Sequence, residues 1–252
     1  MPTANANGIQ IFFELGETDG PPLVLVHGSW ESHADWEPVI PALSETFQVL
    51  TYDRRGHSQS ERPAGGDSIH DDVADLAALI DTLGLSPAWV VRNSFGASIA
   101  LRLALDRPGL LRGLVVHEPP LLALLADDPA AAPMLKEVQA RVDAVLERIE
   151  SGDHEGAARQ FIETIAIGPG AWAEVPPENR RTLIENAPTF LDESRDPDQF
   201  TFELQRAGAF SKPVLLTTGG QSPPMFPPVI ARIAEALPDT ETHRLIVSRE
   251  MV

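Results

Sequence analysis

The sequence predicts an α/β protein: a mostly parallel, eight-stranded-type sheet flanked by helices, with a helical segment inserted before the last strands. Three observations predict it. Short continuous apolar runs such as Pro22-Leu-Val-Leu-Val26 read as strands buried on both faces. Segments with helical spacing alternate with those runs, which is the pattern of a parallel sheet covered by helices. The alternation stops after Pro119-Pro120 and resumes at Pro213.

Taken in order, Ile9 to Leu15 reads as an opening strand or hairpin arm, and Pro22 to Val26 as a buried strand. Asp35 to Phe47 is expected to be a helix leading to a strand at Gln48 to Tyr52. Ser68 is an N-cap for the next helix, with Asp71 and Asp72 in its first turn, where the helix dipole favours carboxylates. Val73, Leu76, Ile80 and Leu83 follow at helical spacing, and Gly84 ends the run. Trp89-Val90-Val91 is a strand, Ser94 to Leu105 a helix, and Leu111 to Val116 another buried strand. Residues 121–208 are helical and rich in Ala, Glu and Arg. This divides the chain into a core of residues 1–120 and 209–252 and a helical cap of 121–208, placed over the carboxyl ends of the strands. Pro213 to Thr217 is a strand, Pro228 to Leu237 a helix, and Thr242 to Val247 the last strand, with no helix after it.

A chain of 252 residues carries a sizeable core in one α/β unit, and 43% hydrophobic with 22% charged residues is ordinary for a globular protein. The formal net charge of -18 repels phosphate backbones and anionic lipid, so nucleic acid and membrane surfaces are not expected partners. With no cysteine there is no disulfide, no thiolate nucleophile and no Cys-ligated metal. The N-terminus has neither a basic nor an apolar leader region, and no apolar run reaches the length of a membrane span; a cytoplasmic location is the expectation.

The most informative segment is Trp89-Val-Val-Arg-Asn-Ser94-Phe-Gly-Ala-Ser, an apolar strand running directly into a helix with a serine at the junction. A serine on so tight a turn projects its hydroxyl above the sheet, with the helix N-terminus beneath it. Ordinary helix capping is the plain alternative. The turn needs small residues two before and two after the serine. Gly96 supplies one, but Arg92 stands at the other, where a long side chain should distort the turn. His27-Gly28-Ser29-Trp30 follows the Pro22 to Val26 strand, and Tyr52-Asp-Arg-Arg-Gly-His-Ser58 follows the next.

These segments, in this order, resemble the α/β-hydrolase superfamily over roughly residues 8–247, and most of all its capped branch of carboxylesterases, enol-lactonases, epoxide hydrolases and dehalogenases. The resemblance implies Ser94 as nucleophile, the backbone N–H groups of Phe95 and Ser29 (or Trp30) as oxyanion donors, and a loop-supporting role for His27, Asp53 and His57. Dehalogenases and epoxide hydrolases use Asp where this chain has Ser94. The expected chemistry is therefore hydrolysis of an ester, thioester or lactone, or a related acyl transfer.

The family acid has two usual places. The segment after the Pro213 strand, Gly219-Gly220-Gln221-Ser222-Pro223, has no carboxylate, so Glu118 after the preceding strand is the candidate. The family base is a histidine after the final strand, a position falling at about Met251 here; residues 247–252 hold no histidine. Two explanations compete: a truncated or shifted reading frame that impairs turnover, or a pseudo-hydrolase that binds a small molecule without catalysis. A non-serine activity, such as cofactor-free haloperoxidation or lyase chemistry, is a third reading.

Trp30 and Phe95 are expected in the pocket floor and His33 at its side; of the cap residues Leu121, Leu122, Leu124, Leu125, Phe161, Ile162, Ile165, Trp172, Phe190 and Phe200, most are expected to pack between cap and sheet and the remainder to form an apolar pocket roof. The expected partner is an uncharged, moderately hydrophobic small molecule. No metal and no cofactor is expected. An uncovered sheet edge makes association into a homo-oligomer an expectation as well.

Overall fold

A computed structural model of the chain describes residues 2–64 and 67–246. Eight strands form one sheet: β1 (Thr3–Ala6), β2 (Ile9–Leu15), β3 (Pro22–Val26), β4 (Gln48–Tyr52), β5 (Ala88–Asn93), β6 (Leu111–His117), β7 (Val214–Gly219) and β8 (Thr240–Leu245). Their spatial order is β1-β2-β4-β3-β5-β6-β7-β8. β2 is antiparallel to both neighbours, and from β4 to β8 every pairing is parallel.

Among the described residues eight α-helical segments accompany the sheet: α1 (Ile40–Leu43), α2 (Ile69–Thr82), α3 (Ser94–Asp106), α4 (Ala132–Glu150), α5 (His154–Phe161), α6 (Pro177–Arg195), α7 (Leu204–Ala207) and α8 (Phe226–Ala236). α2 begins as its sequence requires. The Ser68 hydroxyl accepts from the Asp71 N–H, and the Asp71 carboxylate accepts from the Ser68 N–H, a reciprocal cap. One expected helix is shorter: instead of Asp35 to Phe47 there is a 3-10 turn at His33–Trp36 and the single turn α1. Pro38 and Pro41 each remove a backbone donor, which breaks a continuous helix here.

α2, α3 and α8 pack with the sheet in one core that includes Val24, Val26, Val90, Leu114, Val116 and Leu216. On the opposite face α1, with Trp36 and Phe47, covers Leu23, Leu25 and Val49. Trp89, Val91, Val115 and Leu215 on that face stay half-buried among the described residues. α4 to α7 all lie between β6 and β7 in sequence, and α4, α5 and α6 form a second apolar cluster around Val145, Ala157, Ile162, Leu183 and Phe190. No helix among the described residues is long and apolar enough to cross a membrane.

Candidate active site

Ser94 sits where β5 ends and α3 begins, with φ +48. A non-glycine residue in the left-handed region is strained by about 1–2 kcal/mol, so the surrounding structure must hold it. What holds it is the close approach of α3 to the sheet: a Cβ on Gly96 would lie 2.6 Å from the His27 carbonyl oxygen and 2.8 Å from that of Val26. Trp30 (φ +71) and Glu118 (φ +49) share this backbone region, so strain concentrates at the carboxyl ends of the central strands.

The expectation that Arg92 distorts this turn is corrected. Its side chain lies on the Val90 face of β5, wholly buried, and Nη1 donates to the carbonyls of Val90 (2.8 Å) and Val115 (2.5 Å). The turn keeps its shape with arginine in place. The cost falls on the guanidinium: Nε and Nη2 have no partner, and burial pushes its pKa down to about 9.

Above the turn lies a cavity of about 60 Å³. Ser29, Ser94 and Phe95 line it together, under Leu122, Val138, Phe161, Ile165, Phe190 and Phe200, with Met225 and Phe226 from the start of α8. α5 widens into a π-helical turn over Ile162–Ala166, and this turn supplies Ile165 and Ala166 to the wall. The backbone N–H of Ser29 makes no hydrogen bond among the described residues. That of Phe95, in the first turn of α3, has no acceptor one turn back within the helix. Both are thus available as donors.

Two expected pocket residues stand elsewhere. The Trp30 ring is fully buried behind the wall, stacked on Phe161 (5.0 Å between centroids) and tilted on Phe190 (5.2 Å), so those two rings face the cavity in its place. His33 turns away: Nδ1 bonds Asp53 Oδ1 at 2.7 Å and the ring packs on Phe12 at 4.7 Å. Burial pulls the His33 pKa down, but the bond to Asp53 and the Asp53 charge outweigh it and the net shift is upward. A near-buried imidazole with a carboxylate partner satisfies that partner rather than an open pocket.

Glu118, at the tip of β6, is fully buried and does not line the cavity. Its Oε1 accepts from the Gly219 N–H at 2.6 Å, while Oε2 has no hydrogen-bond partner. His117 Nε2 lies 3.7 Å from Oε2, but burial lowers the His117 pKa and keeps it neutral near pH 7. Gly219, which donates to this carboxylate, pairs with Leu245 across β7 and β8, and the Ile246 backbone lies against Gly220. The position expected to hold the base, about Met251, lies outside the described residues, as does everything after Ile246.

Sequence reasoning missed a polar layer that joins the loops. Buried Arg54 donates from Nε and Nη2 to the two oxygens of Asp72, each at 3.0 Å, to Glu193 (2.9 Å) and to the Gly28 carbonyl (3.1 Å), and lies 4.6 Å over the Phe95 ring. Glu193 in turn accepts from the Ser29 hydroxyl at 2.6 Å. The faint signal was Asn186, Thr189 and Glu193 on one helical face. Glu31 was also missed. Its carboxyl accepts from the Gly28 N–H (2.6 Å) and the Asn93 side-chain amide (3.1 Å), and burial, then the Asp35 charge, push its pKa up to about 8.

His27 supports its loop, as the resemblance implied. It accepts from the Arg54 N–H on Nε2 (2.9 Å) and donates from Nδ1 to the Gly28 carbonyl (2.8 Å), while burial and then Arg54 push its pKa down to about 3. Asp53 ties His33 to the Gln59 N–H, and His57 joins the Arg55 carbonyl to Thr189. No group of His, Asp or Glu among the described residues is placed to hold a metal ion.

The chain is similar to several hydrolases. It is 37% identical over 113 residues to a soluble epoxide hydrolase of Corynebacterium sp. (strain C12), covering 45% of this chain and 39% of that protein. To the 2-(acetamidomethylene)succinate hydrolase of Mesorhizobium japonicum it is 26% identical over 241 residues, covering 87% of this chain and 78% of the other. Several of the curated relatives are matched over only 36–43% of their own length. A solved α/β hydrolase from Sphaerobacter thermophilus superposes over 100% of this chain and 95% of its own, at 28% identity and a TM-score of 0.79. With the family model for the alpha/beta hydrolase fold matching residues 21–249, this chain belongs to the α/β-hydrolase-fold family.

Proposed function

We propose that this chain is a serine-dependent hydrolase of an ester, lactone or related acyl bond in an uncharged, moderately hydrophobic substrate. One observation carries the reading: the Ser94 hydroxyl-bearing residue is held at positive φ on a strand-to-helix turn, lining an apolar cavity beside two available backbone donors. The relatives named as hydrolases support the reaction class. The epoxide-opening activity in one of those names does not transfer, because an alkyl-enzyme requires a carboxylate nucleophile and this position holds serine.

In the proposed reaction the Ser94 oxygen attacks the carbonyl carbon and its proton passes to solvent water, or to imidazole where that is added, which makes the step slow. Negative charge developing on the carbonyl oxygen is met by the N–H groups of Phe95 and Ser29. Loss of the leaving alcohol forms an acyl-enzyme, which water then cleaves. Glu118 is the proposed orienter. Its unpartnered buried Oε2 is an acceptor suited to an imidazole N–H. The six residues after Ile246, Val-Ser-Arg-Glu-Met-Val, contain no imidazole.

The test uses p-nitrophenyl butyrate and the 252-residue polypeptide. Expected are a slow nitrophenolate burst, an intact-mass gain of one butyryl group, acceleration by added imidazole, and loss of all three in Ser94→Ala. Release unchanged in Ser94→Ala would end the serine reading. A second reading, a small-molecule binder without catalysis, is favoured by the absence of any described imidazole from the cavity wall. It predicts ligand binding indifferent to Ser94→Ala and no acylation at all.

The chain divides, in the proposed reading, into a core of residues 1–120 and 209–252 and a cap of 121–208.

A further inference from the structure

We propose that Gln199 is the polar anchor of the cavity and selects acyl groups that carry a second, neutral carbonyl, a ketone or an amide. This deepens the reading of Ser94 as nucleophile and rests on it for the word acyl.

Among the described residues, three with polar side chains line the cavity: Ser29, Ser94 and Gln199. The Ser29 hydroxyl is already committed to Glu193, and Ser94 is assigned to the reacting carbon. Gln199 is different. It is 6% exposed, and its carboxamide makes no hydrogen bond to any described residue. The amide atoms are not sealed off: among the described residues they keep accessible surface while most of the side chain is buried, so the group is open to whatever enters the cavity.

The segment that presents Gln199 is firmly built. The Arg102 guanidinium donates to the carbonyls of Asp198 and Thr201, on either side of it. The Asp196 carboxylate accepts from the Ile69 N–H at 2.6 Å and the Asp198 N–H at 2.8 Å, and the Phe200 carbonyl accepts from the Ala123 N–H at 3.1 Å. Several backbone groups on either side of Gln199 are thus held by partners, while its side-chain amide has none among the described residues. Such second-layer support is what a selective contact needs, since a loosely held amide would discriminate poorly.

The rest of the wall decides what Gln199 can accept. No ionised side chain among the described residues lines the cavity, so an anionic or cationic substituent would be desolvated with no countercharge from them. A neutral carbonyl oxygen accepts from the Gln199 NH₂ group at no such cost, and a secondary amide would also satisfy its oxygen. The cavity of about 60 Å³ is small, which limits the second carbonyl to a short acyl group. Water occupying this place would be displaced by a group that reproduces its hydrogen bond.

The test compares equilibrium binding of 2-heptanone and 2,6-heptanedione, by calorimetry or ligand-observed NMR, in the unmodified chain, Ser94→Ala and Gln199→Met. The expected result is a three- to tenfold tighter Kd for the dione in the first two proteins and no preference in the third. Equal affinities in the unmodified chain, a preference that survives Gln199→Met, or no binding of either probe overturns the proposal. Should the Met variant fail to fold, Gln199→Asn keeps the amide but retracts it, and must reduce the preference. Burst rates with p-nitrophenyl hexanoate and 5-oxohexanoate separate the two readings. No Ser94-dependent burst with either ester, alongside an intact dione preference, defeats the nucleophile and leaves Gln199 standing.

Discussion

Arg92 and Glu31 are the residues whose chemistry is least comfortable where the fold places them. Arg92 buries a guanidinium with only one nitrogen satisfied. Replacing it by an apolar residue of similar length, Arg92→Met, removes that burden and is expected to stabilise the chain by about 1–4 kcal/mol in denaturant unfolding. Arg92→Gly would leave a void in the same core and is expected to destabilise, although the sequence pattern alone favours glycine there. Glu31 makes a pH-dependent prediction. Its folded pKa of about 8 lies above the model-peptide value of 4.5, so between those pH values the folded state binds a proton that the unfolded state has lost. The stability this contributes is fully present below pH 4.5 and is lost as pH rises through about 8. Glu31→Gln keeps the neutral form at every pH, and the unpartnered Asn93 Oδ1 can turn to accept from the new amide. The stability of the variant relative to the parent is expected to rise between pH 5 and 8 and then level off, read as the difference between two sets of melts; a constant difference would remove Glu31 as the cause.

At the scale of elements, the inserted helices do not all grip the core in the same way. α6 is stapled along one face. Asn186 donates to the carbonyls of Trp30 and Glu31 and accepts from the Ser58 N–H, Thr189 meets His57, and Glu193 meets Arg54 and Ser29. Asp196, just past its end, takes the Ile69 N–H. The hydrogen bonds of α4 and α5 run among the inserted helices themselves, as in Arg141 to the Thr164 carbonyl and Arg148 to Gln160. α4 meets the core through apolar side chains such as Met134, Leu135 and Val138. Hydrogen exchange is therefore expected to open α4, α5 and the turn after them before α6. Glu193→Ala strips a partner from buried Arg54 and frees Ser29. We expect a loss of about 3 kcal/mol in stability and a slower Ser94 burst; a burst unchanged in a folded Glu193→Ala would show that Ser29 needs no such support.

The whole molecule carries 37 acidic against 19 basic side chains, and self-repulsion of that surface works against the compact state. Salt at about 0.5 M shortens the Debye length to a few ångströms, so the melting temperature is expected to rise by several degrees from low salt. A melting temperature that falls with added NaCl would mean that the buried ion pairs, not the surface, govern the response. The sheet ends in β8, an edge strand whose Glu241, His243 and Arg244 are exposed, with Leu245 41% and Ile246 92% exposed beside them. Charge along an edge discourages pairing while exposed apolar residues at its end invite it. Light scattering over a concentration series reads which of the two wins.

Much of this was legible before any coordinates. Continuous apolar runs, a capped amphipathic α2 and a serine between strand and helix are local features, written in neighbouring residues, and they led directly to the sheet, the turn and the family. Ser29, Ser94 and Phe95 met in one cavity because two strand ends adjacent in the sheet carry them. What only the tertiary structure decided came from residues far apart in sequence. Whether Trp30 faces the cavity or stands behind it depends on where Phe161 and Phe190 pack. Whether His33 points inward depends on a carboxylate 20 positions away, and the harmlessness of Arg92 to the turn depends on a carbonyl of the neighbouring strand. The free amide of Gln199 is likewise a product of its surroundings, since several backbone groups on either side of it are held by partners while the amide has none among the described residues.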